Sequence, residues 1–240
     1  RIARLFVEAL GRAGHDVRVA STLRSFEGTG APGRQADIAR QGAAAAAALI
    51  EDYRPSGPWR PDLWFTYHLS HKAPDHLGPT VATALDIPYV VAEASYAPKR
   101  AGGPWDPGHR AVAGALERAD HVIFLNPADR GCVAPLLRPA AAATDLLPFL
   151  DTAPFLAAAR DRARHRRAFV EAHRLNDRSA ILLAVAMMRP GDKLASFRLL
   201  ADALARISTT DWTLAIVGDG RARTEVESAF GRFGDQVRFL

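Results

Sequence analysis

Two cations bracket one turn, Arg189-Pro190-Gly191-Asp192-Lys193. A guanidinium can fork two phosphate oxygens and an ammonium adds a point charge, so the pair suits a diphosphate. Solvated loop residues are the competing reading, and geometry alone leaves the two level. A second turn, Gly218-Asp219-Gly220, follows another apolar run and is a candidate for the nucleotide part of the same ligand. Further upstream, Glu93 stands just past the apolar run Tyr89–Ala92. A carboxylate there can orient a hydroxyl or take its proton; a structural bridge to Lys99 or Arg100 is the alternative. His68 ends the run Leu63–Tyr67, with His71 and His76 close behind. Histidines at short spacing can bind zinc. No cysteine lies near them and no H-E-x-x-H helix is present, so no metal site is assigned. Lys99 and His109 fall in the Pro- and Gly-rich stretch 96–109 and are acceptor-site candidates. A solvent-exposed excursion is the alternative there.

The elements that position these residues follow from periodicity. Ala180–Met187 is a continuous apolar run of strand length, as in a parallel strand buried on both faces. Leu194, Phe197, Leu200, Ala201, Leu204 and Ile207 then recur at helical spacing, with Asp192 expected as the N-cap. Trp212–Val217 reads as a second buried strand and Val237–Leu240 as another. Arg189 and Lys193 therefore lie at a strand's carboxyl end and a helix N-terminus. Ligands bind outside strand carboxyl ends in open parallel sheets, and unpaired first-turn N–H groups favour anions.

Upstream, Ile2–Ala13 reads as an amphipathic helix closed by Gly14, and Asp16–Ser21 as a strand. The Gly-rich stretch 24–33 reads as a loop and Arg34–Tyr53 as an Ala-rich helix, ended by Arg54-Pro55-Ser56-Gly57-Pro58. Further strands are expected at Leu63–Tyr67, Tyr89–Ala92, Val122–Leu125 and Leu146–Asp151. Helices are expected over 78–85 and 110–118, and a basic one over Thr152–Leu175 serves as the interdomain connection.

Nearly half of the 240 residues are hydrophobic, at 48%, enough for a sizeable core. The single cysteine, Cys132, excludes a disulfide framework. With no signal peptide and no bilayer-length apolar run, a cytoplasmic setting is expected. The net charge is +5, yet only Lys72, Lys99 and Lys193 among the 31 basic residues are lysine. A GC-rich, bacterial-type coding bias explains so much Arg and Ala, so nucleic acid is not implied. Phosphorylated substrates, or an anionic inner-membrane surface touched peripherally, stay open as partners.

The turn Met187-Met188-Arg189-Pro190-Gly191-Asp192-Lys193-Leu194 resembles the G-R-L-x-x-x-K-G turn of retaining GT-B glycosyltransferases, family 4 type. In that family the Arg and Lys hold the donor diphosphate, and the next strand ends in G-x-G, as Val217-Gly218-Asp219-Gly220 does here. Lys193 falls on the family Lys, and Arg189 sits one residue nearer to it than the family Arg. The family's leading Gly is Ala186 or a Met here. Leu10 to Val17 resembles the family's L-x-x-x-G-H-x-V, with His15 structural. Pro61 to His68, Ile87 to Glu93 and Ala119 to Ile123 resemble three successive acceptor-domain strand ends. Where many members carry a sugar-contacting His, this chain has Glu93-Ala94-Ser95.

The resemblance implies two Rossmann-like domains of GT-B architecture. Residues 1–176 would bind the acceptor, and 177–240 would be part of a nucleotide-sugar domain, with a first strand and the second half of that domain lying outside the chain. It implies sugar transfer from a nucleotide-sugar, as co-substrate and with no cofactor or metal, to a carbohydrate, lipid or small-molecule acceptor hydroxyl. Glu93 and His68 would be catalytic, Arg189 and Lys193 would hold the diphosphate, Gly218, Asp219 and Gly220 the nucleotide, and Lys99 and His109 the acceptor. The family's acidic E-x7-E pair would follow Leu240, so this stretch is not expected to catalyse alone. A non-catalytic module of the same shape is the first alternative. A Rossmann oxidoreductase is the other, although Gly218-Asp219-Gly220-Arg221-Ala222-Arg223 lacks the third Gly of that fingerprint.

Overall fold

The computed structural model describes residues 2–54, 57 and 59–240. The chain forms two compact units, Arg1–Asp151 and Thr152–Leu240. The expected division after Asn176 thus moves to a point before Thr152. The basic segment is tied to its C-terminal neighbours, since Arg166 Nη2 donates to Asp177 O at 2.9 Å and to Ser179 O at 3.1 Å.

In the first unit, α1 (Ile2–Arg12) turns its apolar stripe inward, with Phe6 buried. The stretch 15–21 forms no regular element and belongs to no ladder, correcting the expected strand. A strand needs a hydrogen-bonded neighbour, and Val19 is left exposed. α2 (Pro32–Asp52) starts on Pro32 at its N-terminus. Pro55, Ser56 and Pro58 of the expected helix-ending turn lie outside the described residues. Four parallel strands follow, in the order β1-β2-β3-β4: β1 (Trp64–Leu69), β2 (Tyr89–Ala94), β3 (His121–Phe124) and β4 (Ala142–Asp145). The last strand lies earlier than the expected Leu146–Asp151, because the ladder to β3 closes from His121↔Ala142 to Phe124↔Asp145. Between the strands run α3 (Gly78–Ala84), α4 (Asp106–Arg118) and the short α5 (Arg130–Val133). Val81, Tyr89, Val91, Val112, Leu116 and Val122 form the centre of the core. Each such aliphatic side chain contributes about 1.5–3 kcal/mol on burial.

The second unit begins with two helices where one was expected, α6 (Ala153–Arg160) and α7 (Arg162–His173). Asp161 interrupts them with ψ at 16°, outside the helical range. Three parallel strands follow, in the order β5-β6-β7: β5 (Ala180–Val185), β6 (Trp212–Val217) and β7 (Val237–Phe239). The doubly buried strand is β6, at the centre of the sheet. The apolar run of β5 does not have the expected burial: Leu183 is 60% and Val185 70% exposed. Its edge position accounts for this, as α8 (Asp192–Leu204) and α9 (Arg223–Phe230) build the core with β6 through Phe197, Leu204, Leu214 and Phe230. Gly191 occupies the N-cap of α8 in place of the expected Asp192, which opens its first turn.

Candidate functional site

In the first unit the β1–β2 register runs Tyr67↔Ala92 and Leu69↔Ala94. That leaves His68 opposite Glu93. Both have left-handed backbones, with φ of 67° and 60°. A side chain in this region costs about 1–2 kcal/mol, and such strain gathers at functional sites. His68 Nδ1 lies 3.7 Å from Glu93 Oε1, too far for a hydrogen bond. Glu93 Oε2 is buried and, among the described residues, accepts no hydrogen bond. A buried carboxylate oxygen in that state is suited to a substrate hydroxyl. Its charge is felt nearby. Burial first, and then the Glu93 carboxylate, push the Tyr67 phenol up to about 12. Burial and then Glu93 also raise the Asp129 carboxyl.

The three histidines diverge. His68 meets Glu93, the His71 ring stands edge-on to Trp105 at 6.0 Å, and His76 backs onto Gly42 of α2. Among the described residues no three His, Cys, Asp or Glu side chains gather. Asp75 anchors the intervening loop: it accepts from Leu77 N (2.9 Å), Gly78 N (2.8 Å), Thr66 Oγ1 (2.5 Å) and the Tyr89 hydroxyl (2.9 Å).

His109 is corrected. It is not a loop residue but part of α4, buried, with Nε2 3.1 Å from Ala97 O and its ring stacked on Tyr96 at 4.5 Å. It braces the segment after β2 and offers no free face to an acceptor. Lys99 sits exposed in the short turn Pro98–Arg100.

In the second unit two turns lie back to back at the carboxyl ends of β5 and β6. Ala186 N donates to Val217 O (3.1 Å), Met188 N to Asp219 O (2.8 Å) and Ala222 N to Met188 O (3.0 Å). The backbones approach so closely that a Cβ on Gly218 or Gly220 would collide with Ala186 O or Met188 O. Their φ values, 146° and 151°, also exclude ordinary side chains. Arg189 is exposed, and Lys193 is half-buried in the first turn of α8. Among the described residues neither forms an ion pair, and no side chain caps that helix. Leu194 N donates to Arg189 O at 3.2 Å, and the two cations share this corner with the N–H groups of Asp192 and Lys193, which no side chain caps. Asp219 Oδ1 accepts from Gly220 N at 2.8 Å and stiffens the turn.

No family model matches the chain, and no curated protein matches it. Solved structures do. The α,α-trehalose 6-phosphate synthase of Burkholderia multivorans superposes with a TM-score of 0.59 at 14% identity, over 86% of this chain and 51% of its own. The α,α-trehalose-phosphate synthase of Burkholderia xenovorans, in complex with glucose-6-phosphate, gives 0.54 at 14%, over 86% and 56%. HepE of Anabaena, in complex with UDP and glucose, gives 0.50 at 18%, over 98% and 58%. The chain shares the fold of these structures, which is of the GT-B type. The chain spans about half the length of these structures.

Within this GT-B fold, the candidate residues His68, Glu93, Arg189, Lys193, Gly218, Asp219 and Gly220 all stand at or just beyond strand carboxyl ends. Sequence reasoning passed over Tyr67, Asp129 and Arg223. Arg223 pairs with Glu227 at 2.7 Å and lies 3.8 Å from Asp219, and its spacing of four residues from each partner was the available signal. Tyr67 and Asp129 carried none, because their tie to Glu93 is purely spatial.

Proposed function

We propose that the chain is a glycosyltransferase component that binds a nucleotide-sugar through its second unit and an acceptor hydroxyl through its first. The observation that carries this reading is the pair of interlocked turns, which places Arg189 and Lys193, with no ion-pair partner among the described residues, at an N-terminus of α8 that no side chain caps. In the reaction a bond forms between the acceptor oxygen and the anomeric carbon, and the bond from that carbon to the nucleoside diphosphate breaks. Negative charge grows on the diphosphate, and preorganised donors there are the main electrostatic contribution. The chain's own cations and N–H groups supply them in this reading, so no metal is invoked. Glu93 orients the acceptor hydroxyl and takes its proton, and His68 positions Glu93. UDP and glucose bound to HepE, and the synthase activity that names the trehalose-phosphate relatives, point the same way.

Calorimetric titration of UDP-, GDP- and ADP-sugars, with NAD as the comparison, tests it. Saturable binding of one nucleotide-sugar and none of NAD is expected. Binding of NAD alone would replace this reading with a Rossmann oxidoreductase.

A further inference from the structure

The loops after β1 and β2 gather positive charge, and among the described residues their own carboxylates, Asp75 and Asp106, are engaged elsewhere. Lys72 Nζ lies over the Trp105 ring at 4.3 Å, and the His71 ring meets the same indole edge-on. Trp105 is itself fixed, its Nε1 donating to Glu27 O at 2.9 Å. Gly108 at the start of α4 lies so close to His71 O that a Cβ there would collide with it. The His71 side chain is therefore held in place, yet its Nε2 is buried and has no hydrogen-bond partner among the described residues. The charged or titratable groups that face His71 are Arg100, Lys72 and His109, and with burial as the larger cause they hold its pKa below the ordinary value.

The nearby carboxylates are committed elsewhere. Glu27 shares the loop, its N–H bonded to Lys72 O at 2.8 Å. Its oxygens accept from Thr29 N at 2.9 Å and Gly30 N at 2.5 Å. Asp106 accepts from Gly102 N at 2.7 Å and pairs with Arg110 at 2.8 Å. Asp75 is taken up by the anchor described above. Arg100 forms no ion pair among the described residues. An anion would satisfy the orphaned ring nitrogen and the uncompensated cations together.

We propose that His71, Lys72 and Arg100 form a subsite for a phosphate group carried by the acceptor. As a statement about the acceptor it rests on the glycosyl-transfer reading; as an anion site it stands alone. His71 and Lys72 directly follow β1 beyond His68, and Arg100 lies in the turn after β2 beyond Glu93. Phosphate held there would leave the rest of the acceptor to reach the His68–Glu93 pair on the same edge of the sheet.

The test is an NMR titration of the whole 240-residue chain, following the His71 imidazole C–H resonance as inorganic phosphate is added. A saturable shift is expected, with the His71 midpoint moving to higher pH because a dianion favours the imidazolium. Lys72→Met with Arg100→Met should weaken phosphate by roughly ten- to a hundredfold, the range of charge-assisted bonds. Arg100 is exposed and Lys72 half-buried, and methionine keeps an apolar stem against Trp105, so the thermal midpoint should be retained. His71→Asn gives a second, independent loss. Glucose 6-phosphate should compete with phosphate and glucose should not. UDP should bind the wild type and the double variant equally, since its diphosphate is assigned to Arg189 and Lys193. No saturable shift, or equal phosphate affinity in the folded double variant, would overturn the site. Phosphate binding without nucleotide-sugar binding would leave the anion site and remove the transfer reading.

Discussion

His68 and Glu93 face each other across adjacent parallel strands, both in the left-handed region, with Nδ1 3.7 Å from Oε1. The ladder resumes beyond them at Leu69↔Ala94, so the irregularity is local. The strained backbones turn two polar side chains out of the strand pattern and toward each other. Removing the side chain at Glu93 separates its two consequences. Glu93→Gly relieves the backbone and Glu93→Ala does not, so the Gly variant should be the more stable by about 1 kcal/mol in urea unfolding. In a protein that also carries the acidic pair expected beyond Leu240, both should slow transfer by roughly a hundredfold or more if Glu93 takes the acceptor proton. Equal stability of the two variants would mean that φ at Glu93 is not held positive in solution.

Burial first, and then the Glu93 carboxylate, act on the Tyr67 phenol. The phenol is raised from 10 to about 12. The folded state favours the protonated phenol, so this contribution is present below pH 10 and is lost as pH rises from 10 towards about 12. The difference in 295 nm absorbance between wild type and Tyr67→Phe isolates this titration. Glu93→Gln should lower its midpoint partway, because burial remains. An unchanged midpoint would place the carboxylate away from the phenol.

The Glu27 carboxyl is held down to about 2, chiefly by the Thr29 hydroxyl and then by backbone N–H groups of Thr29, Gly30 and Ala31 acting against burial. A depressed carboxyl stabilises the folded loop above the unfolded pKa, near 4.5, and that stability is lost as pH falls from there towards about 2. The protection factors of the Thr29 and Gly30 amides, relative to intrinsic exchange at each pH, should fall as pH drops through that window. Glu27→Gln should show low protection already at neutral pH and lose the step. A wild-type protection factor that does not change with pH would contradict the assignment.

Gly220→Ala tests whether the two turns of the second unit interlock. The added Cβ would meet Met188 O at a φ of 151°. A loss of more than about 1 kcal/mol is expected in urea unfolding, together with loss of nucleotide-sugar binding. Wild-type stability would show that the turns do not touch.

Much of this was legible in the chain. Apolar runs marked β2, β3 and β6, because a strand inside a parallel sheet is apolar on both sides, and the apolar stretch before His68 marked the edge strand β1. The polar residues that end them, His68, Glu93 and the Gly218–Gly220 turn, marked the carboxyl edge. The run at 180–187 marked β5 as well, but not its exposure, since composition does not distinguish an edge strand from a central one. The same rule failed for 15–21 and 146–151, which are strand-like in sequence but lack or overrun a ladder. His109 was misplaced because Pro and Gly at 103–108 read as loop, although Pro107 is tolerated in the first turn of α4. The left-handed φ of Glu93 and its neighbours Tyr67 and Asp129 had no sequence signal.

The central claim is that Arg189 and Lys193 hold a donor diphosphate. Calorimetric titration of UDP- and GDP-sugars into wild type, Arg189→Ala and Lys193→Ala measures this most directly. Each charge-assisted bond is worth ~1.5–3 kcal/mol, so each variant should bind roughly ten- to a hundredfold more weakly. Thermal unfolding should not change, since Arg189 is exposed and Lys193 only half-buried, with no ion pair among the described residues. Unchanged affinity in both variants would reduce the turn to a connection and contradict the account.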